Sequence, residues 1–224
     1  MIYYDYSPEQ LENKAEDLLK KFDEERLRKP KPIDVYAVIE KCLGVEYDWK
    51  YLTPDQSIYG MTAFKDGLAW AWPAPYYEEG MKPTRVFLKE GTIVIDSSLT
   101  EYEHRGPENF TVMHEVFHQV LHKRCFAHGN PDYAHYTTKD AINRRRRPMT
   151  ALEICEYQAN ACAAAFLMPR QVVADVLRDE IGNTRMLDLS EARSIGVIRE
   201  MARDFSVSQT AMRYRLLNLK LAVE

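Results

Sequence analysis

The sequence contains no long apolar run, no secretory-type start and no closely spaced pair of cysteines. Its longest uninterrupted apolar run, residues 161–168, is far shorter than the roughly 20 residues that a membrane-spanning helix requires. Residues 1–25 are rich in tyrosine and carboxylates, whereas a secretory signal needs a basic start followed by an apolar run. These absences predict a soluble, cytoplasmic protein that does not enter a membrane.

Charge and cysteine usage argue against two further classes of protein. The net charge of −4 and the pI near 5.9 disfavour a general nucleic-acid binder, although they leave room for a local basic face. None of the four cysteines belongs to a CxxC pair. Cys155 and Cys162 fall a heptad apart on a predicted helix, where cysteine acts as a small apolar residue. We therefore expect reduced, buried thiols rather than a disulfide framework.

The N-terminal half predicts two helices followed by strands. Residues 8–29 carry leucines and a phenylalanine at helical spacing, and a second helix over about 33–42 ends at Gly44, a residue type common at helix C-termini. Residues 58–72 and 85–98 each have the pattern of a strand, a turn and a strand. Together these segments indicate a small, mostly antiparallel sheet.

The C-terminal half is predominantly helical. Helical periodicity covers residues 108–122 and 150–168. Between them, we expect residues 123–150 to form a long surface connection, partly helical, in which Arg144–Arg147 is a solvated basic run. Residues 170–224 predict short helices. The chain as a whole therefore predicts an α+β fold, with N-terminal helices and a helical C-terminal unit flanking the sheet and two central helices.

Three histidines and a glutamate interrupt the otherwise apolar helical stretch FTVMHEVFHQVLH. His114, Glu115 and His118 form an HExxH motif. Side chains four residues apart lie on the same face of a helix, so both imidazoles can bind one metal ion while the glutamate faces the adjoining space. Such an ion lowers the pKa of its bound water to about 7, and Glu115 would then act as the general base in peptide hydrolysis. The alternative is a pair of histidines hydrogen-bonded in a core.

The third histidine of this stretch is too far along the helix to complete the site. His122 lies about 12 Å along the axis from His114 at 1.5 Å rise per residue. We expect it to pack or to hydrogen-bond at the helix end. A hydrogen bond to a ligating histidine is the alternative.

A third metal ligand is expected from the second central helix, TALEICEYQANACAAAFLMP, whose alanines allow another helix to approach closely. Glu156 is the candidate, because Asn160 lies one turn further on and can hydrogen-bond a ligating histidine. A carboxylate in so apolar a segment is costly unless a metal or an opposite charge neutralises it. Glu153 is the alternative ligand.

These two segments together resemble the ImmA/IrrE family of metallopeptidases. That family shows a Phe-Thr pair before HExxH and a Glu-x-x-Ala-Asn helix that ends in Leu-Met-Pro. The resemblance is good over residues 93–169, including the strand TIVIDSSL, and looser in the flanks. The matching residues are Phe110, Thr111, His114, Glu115, His118, His122, Glu156, Ala159, Asn160, Leu167, Met168 and Pro169.

The resemblance implies a site and an activity. His114, His118 and Glu156 would bind one zinc ion per chain, with manganese as the alternative metal, and Glu115 would be the general base. Family members act in the bacterial cytoplasm, often near mobile elements or stress circuits, and cleave a helix-turn-helix repressor. The expected substrate is therefore a repressor or a similar regulator. The basic connection 123–150 departs from the family pattern and bears on the shape of the substrate cleft.

The transition state of peptide hydrolysis needs a further donor for its developing negative charge. The residue types that could supply one are present, but their spacing selects none of them. The candidates are His104, His135, Tyr136 and Tyr157.

The C-terminal segment offers a competing function. Residues 198–221 have the pattern of a helix-turn-helix, capped at Ser206 or Ser208, whose second helix carries Arg213, Arg215 and Lys220 and no acid. However, residues 171–224 contain eight basic and eight acidic residues, a balance that favours packing or partner recognition over DNA binding. We expect a zincin-like domain over residues 1–169 and a helix-turn-helix-like unit over 170–224. The alternative function is a DNA- or protein-binding regulator with a structural or vestigial metal site.

Overall fold

The structure, a computed structural model, describes residues 4–76, 78–127, 134–138, 149–182 and 186–224. The helices are α1 (Pro8–Asp23), α2 (Val35–Val38), α3 (Gly106–Ala127), α4 (Ala151–Leu167), α5 (Arg170–Ile181), α6 (Ala192–Asp204) and α7 (Gln209–Asn218). The strands are β1 (Tyr47–Lys50), β2 (Ile58–Ala63), β3 (Gly67–Ala71), β4 (Thr84–Leu88), β5 (Ile93–Asp96), β6 (Ala134–Thr138), β7 (Leu187–Asp188) and β8 (Ala222–Val223). The predicted α+β class is confirmed.

The two N-terminal helices form where the sequence predicts them. Ser7 and Gln10 make a reciprocal capping box at the start of α1, which satisfies backbone donors that the first turn leaves unpaired. A 3-10 turn, Glu24–Leu27, follows α1, and a π turn, Ile39–Leu43, extends α2. Gly44 ends that turn with a φ of 64°, a left-handed conformation that glycine adopts without steric cost.

The predicted strands form, but they do not pair as consecutive hairpins within one sheet. Within the described residues, one four-stranded sheet has the order β1-β5-β2-β6, in which β1 and β5 are parallel and the other pairs antiparallel. The strands β3 and β4 pair with each other in a separate two-stranded sheet. Long-range pairing thus places β2 in the interior of the main sheet, directly beside β5.

The predicted surface connection between the central helices needs correction. Helix α3 continues to Ala127 instead of ending near 122, and residues 134–138 form β6, which pairs with β2 at the edge of the main sheet. Backbone pairing with β2 therefore overrides the lack of a clear sequence period. The Arg144–Arg147 run lies outside the described residues.

Helices α3 and α4 lie at the centre of the molecule. Helix α3 packs against the face of β2 and β5, and α4 packs against both α3 and α1. Small residues of α4 allow the close approach to α1: Ala159, Cys162 and Ala163 are buried, and the Cys162 thiol lies 3.3 Å from the Leu11 carbonyl. Among the described residues, no helix has the length and apolar character needed to cross a bilayer.

The C-terminal helices are joined to the rest of the molecule by a shared core and a buried ion pair. One hydrophobic cluster contains side chains from α1, α3, α4 and from α5 to α7. Arg215 of α7 is buried, pairs with Glu12 of α1 at 2.5 and 2.8 Å, and donates from Nε to the Met168 carbonyl at 2.9 Å. The division at residues 169 and 170 stays a prediction.

Because the Arg215–Glu12 ion pair is buried, we expect its removal to lower the stability of the protein. Replacing Glu12 with glutamine keeps the shape of the side chain but leaves the buried Arg215 charge without its counter-ion. We expect the free energy of unfolding to fall by about 3 kcal/mol in denaturant titrations.

A more exposed pair of the same kind is the control. Glu16 pairs with Arg170, whose side chain is 42% exposed, and Glu16→Gln should cost less than about 1 kcal/mol. Equal losses in the two variants would contradict the assigned role of Arg215.

Candidate metal centre

Helix α3 presents its ionisable residues toward two different neighbours. His114 and His118, one turn apart, face α4 and are buried, with 1% and 0% of their surface exposed. Glu115 is also fully buried, but its side chain lies against β2. The helical period therefore separates the imidazoles from the carboxylate.

The three predicted ligands converge at the contact between α3 and α4. The Nε2 atoms of His114 and His118 lie 2.8 Å apart. The Glu156 carboxylate on α4 lies 3.1 Å from the His118 Nε2 and 3.5 Å from the His114 Nε2. One ligand atom from each residue falls within 4.8 Å of the others, which is a grouping that can hold a metal ion.

The chemistry of the donor set fits a divalent ion. The Nδ1 of His114 lies 2.9 Å from the Asn160 Oδ1 and can donate to it, which leaves the lone pair on Nε2. Glu156 brings two further acceptor oxygens to the same point. Converging acceptors repel one another unless a cation or a proton lies between them, and two imidazoles with one carboxylate are ligands that zinc prefers.

Glu153, the alternative ligand, has a different function at the start of α4. Its carboxylate accepts a hydrogen bond from the Thr150 backbone N–H at 2.7 Å, and the Thr150 hydroxyl accepts from the Glu153 backbone. In this capping box, Glu153 caps the N-terminus of α4, one turn before Glu156. Glu153 is not part of the ligand grouping among the described residues.

Glu115 is held against β2 by a threonine and a glycine. The Thr62 hydroxyl donates to the Glu115 Oε2 at 2.6 Å. Gly60 makes room for this carboxylate, because a Cβ at position 60 would lie 2.6 Å from the Glu115 Oε1 and 2.9 Å from the Thr111 Cγ2. The interior strand thus fixes the carboxylate that the HExxH motif supplies.

His122 contacts a predicted ligand, which was the alternative interpretation of the sequence. Its Nδ1 lies 3.0 Å from the Nδ1 of His118. Its Nε2 lies 3.0 Å from the Oε1 of Gln158, a buried residue of α4. The side chain therefore lies behind His118 on the same helical face and does not end the helix, which continues for another turn.

The four candidates for transition-state stabilisation differ in position. His104 accepts a hydrogen bond from the Gly106 backbone at the start of α3, about 12 Å along the helix from His114. Tyr157 is exposed on α4. In β6, His135 pairs with Thr62 and Tyr136 with Met61. His135 is thus paired with the strand residue whose hydroxyl contacts Glu115.

The cysteine beside Glu156 is not part of the ligand grouping among the described residues. Burial raises the pKa of the Cys155 thiol to about 12, so the thiol stays protonated at neutral pH. Cys155 packs instead with Cys125, Phe64 and Phe126. All four cysteines, each among the described residues, are free thiols. Cys125, Cys155 and Cys162 are buried as predicted, whereas Cys42 is half-buried.

Three residues that contact Glu115 or His122 were not identified from the sequence. Gly60 had a signal, since a glycine inside a strand often marks a close approach of another group. Thr62 and Gln158 had none, because a threonine in a strand and a glutamine in a helix are common. Their importance depends on long-range contacts with Glu115 and His122.

The close approach at Gly60 predicts a steric penalty. A methyl group in Gly60→Ala must displace Glu115 or Thr111, so we expect the free energy of unfolding to fall by about 1–3 kcal/mol. Gly196 of α6 has open space around it, and Gly196→Ala should stabilise the helix by up to about 1 kcal/mol. Denaturant titrations measure both. A Gly60→Ala variant as stable as the unmodified chain would contradict the contact.

Comparison with known proteins agrees with the geometry of this centre. The family model described as the IrrE N-terminal-like domain, which represents a peptidase family, matches residues 77–217. The match covers more than half of the chain and includes HExxH, Glu156 and the C-terminal helices. No curated protein matches the chain. The chain belongs to the IrrE N-terminal-like peptidase family.

Proposed function

We propose that the protein is a zinc-dependent endopeptidase with one metal ion per chain. In this proposal His114, His118 and Glu156 are the metal ligands and Glu115 is the general base. The observation that carries it is the convergence of both imidazole Nε2 atoms and the Glu156 carboxylate, beside a buried glutamate. Manganese is the alternative metal.

In this proposal, the three ligands bind the metal ion and Glu115 transfers the proton. A bound divalent ion supplies Lewis acidity to a water molecule and to the carbonyl of the scissile peptide. Glu115 accepts the proton of the attacking water and delivers it to the leaving amine nitrogen as the carbon–nitrogen bond breaks. Thr62, by donating to one oxygen of Glu115, fixes the carboxylate for both transfers.

The proposed substrate is a bacterial transcriptional repressor of the helix-turn-helix type, or a similar regulator, in the cytoplasm. Membership of the peptidase family supports a protein substrate. The resemblance of the HExxH and Glu-x-x-Ala-Asn segments to the ImmA/IrrE family supports a regulator. Four free thiols support a reducing compartment.

The competing function, DNA recognition by the C-terminal helices, is less well supported. Arg215, one of three basic residues on the predicted recognition helix, is buried and paired with Glu12, so it is not available to phosphate or bases. Arg213 pairs with Glu224. We propose instead that this unit packs against α1 and α4 and takes part in partner recognition.

Metal content and cleavage separate the ligand from the base. We expect purified protein to contain one divalent ion per chain, and His118→Ala to lose it. Glu115→Gln should retain the ion and lose cleavage by a factor of roughly 1,000 or more, because the proton acceptor is absent. Elemental analysis and a cleavage assay on a protein trapped by the Glu115→Gln variant measure these effects.

Two results would contradict this assignment. Full proteolysis by Glu115→Gln would show that another group accepts the proton. A stoichiometric ion that persists in both His118→Ala and Glu156→Ala would show that the metal lies elsewhere.

Salt-dependent binding of duplex DNA by the whole chain, without any cleavage, would favour the regulator hypothesis.

The contact between Thr62 and Glu115 predicts a selective kinetic defect. Thr62→Val removes the hydroxyl and keeps the shape, so we expect kcat to fall about 10-fold with KM and metal content unchanged. Thr62→Ser should restore activity. Thr92, which is also buried but whose hydroxyl has no partner among the described residues, is the control. Thr92→Val should leave kcat unchanged, and equal losses in both valine variants would contradict the role of Thr62.

A further inference from the structure

A chain of buried hydrogen bonds connects the N-terminal segment to His118. Gln158 donates from Nε2 to the backbone carbonyl of Tyr4 at 2.7 Å, and its Oε1 lies 3.0 Å from the Nε2 of His122. The Nδ1 of His122 lies 3.0 Å from the Nδ1 of His118. The side chains of His118, His122 and Gln158 are each at most 1% exposed, so bulk solvent does not compete for these partners.

The backbone carbonyl fixes the direction of every hydrogen bond in this chain. A carbonyl oxygen only accepts, so the Gln158 amide must point its NH2 group at Tyr4 and its oxygen at His122. The Nε2 of His122 must then carry a proton to donate to that oxygen.

The assignment continues from His122 to the metal centre. A neutral imidazole with its proton on Nε2 has its lone pair on Nδ1, so the Nδ1 of His118 must be the protonated partner. The lone pair of His118 consequently lies on Nε2, the atom that faces His114 and Glu156. This is the tautomer that a metal ligand at Nε2 requires.

The hydrogen-bond chain ends at a backbone group. The carbonyl of Tyr4 accepts from Gln158 on α4, the helix that carries Glu156. It gives the hydrogen-bond chain a terminus that neither titrates nor changes its role.

We propose that His122 and Gln158 are positioning residues that hold His118 in the tautomer able to bind a metal ion, with the Tyr4 carbonyl as the fixed acceptor. The metal-binding part of this proposal rests on the proposed function, whereas the tautomer assignment does not. Partners of this kind typically change metal affinity 10–100-fold when they are removed.

Zinc affinity tests the proposal. We expect His122→Leu and Gln158→Leu to bind zinc about 10–100-fold more weakly than the unmodified chain, in competition with a chromophoric chelator. His122→Asn, whose side-chain oxygen can accept from the Nδ1 of His118, should bind more tightly than His122→Leu.

Gln119 provides a matched control on α3. It is a buried glutamine whose amide also donates to backbone carbonyls, in this case those of Gly91 and Ala63. Gln119→Leu should keep the affinity of the unmodified chain. A loss as large as that of Gln158→Leu would overturn the proposal, as would unchanged affinity in both His122→Leu and Gln158→Leu.

Nitrogen NMR of isotopically labelled histidines gives a readout that needs no metal. In the metal-free chain we expect the proton of His118 on Nδ1 and that of His122 on Nε2, with His118 becoming a mixture of tautomers in Gln158→Leu. A His118 proton on Nε2 in the unmodified chain would overturn the proposal. If the unmodified chain shows the expected tautomers and binds no zinc, the proposed function fails while the tautomer assignment holds.

Discussion

The contact between the Glu156 carboxylate on α4 and the two imidazoles on α3 is the interaction on which the rest of the site depends. The carboxylate lies 3.1 Å from one Nε2 atom and 3.5 Å from the other, in a part of the molecule where uncompensated acceptors are costly. Bringing these groups together requires α3 and α4 to pack closely. It also requires each imidazole to present a lone pair, because a protonated Nε2 cannot bind a metal ion.

The surrounding elements meet these requirements from different directions. Strand β2 holds Glu115 through Thr62 and leaves space for it at Gly60, so the predicted base and the predicted ligands lie on different sides of α3. On the α4 side, Asn160 contacts His114, and Gln158 contacts His122. Both ends of α4 are also held by hydrogen bonds, one of them long-range. The carbonyl of Met168 accepts from Arg215, and the capping box at Thr150 fixes the first turn.

Local periodicity explains how much of this arrangement the sequence predicts. The HExxH spacing and the Glu156–Asn160 spacing are both i, i+4 relations within single helices, so they determine a face without any tertiary information. The pairing of β2 with β5 and the contact of Thr62 with Glu115 join residues far apart in the chain, which no local pattern encodes. The pairing of β6 with β2 is also long-range, and the sequence of β6 has no clear period that would indicate a strand. His122 is intermediate: its spacing from His118 placed it on the ligand face, but its role depended on Gln158 across the helix contact.

A crystal structure of the zinc-loaded protein, with anomalous diffraction measured on both sides of the zinc absorption edge, would locate the metal ion. We expect one anomalous peak per chain, within bonding distance of the Nε2 atoms of His114 and His118 and of the Glu156 carboxylate. We also expect Glu115 to lie beside the ion without binding it. A peak that lacks Glu156 among its ligands, or no peak at this contact between α3 and α4, would show that the proposed metal site is wrong.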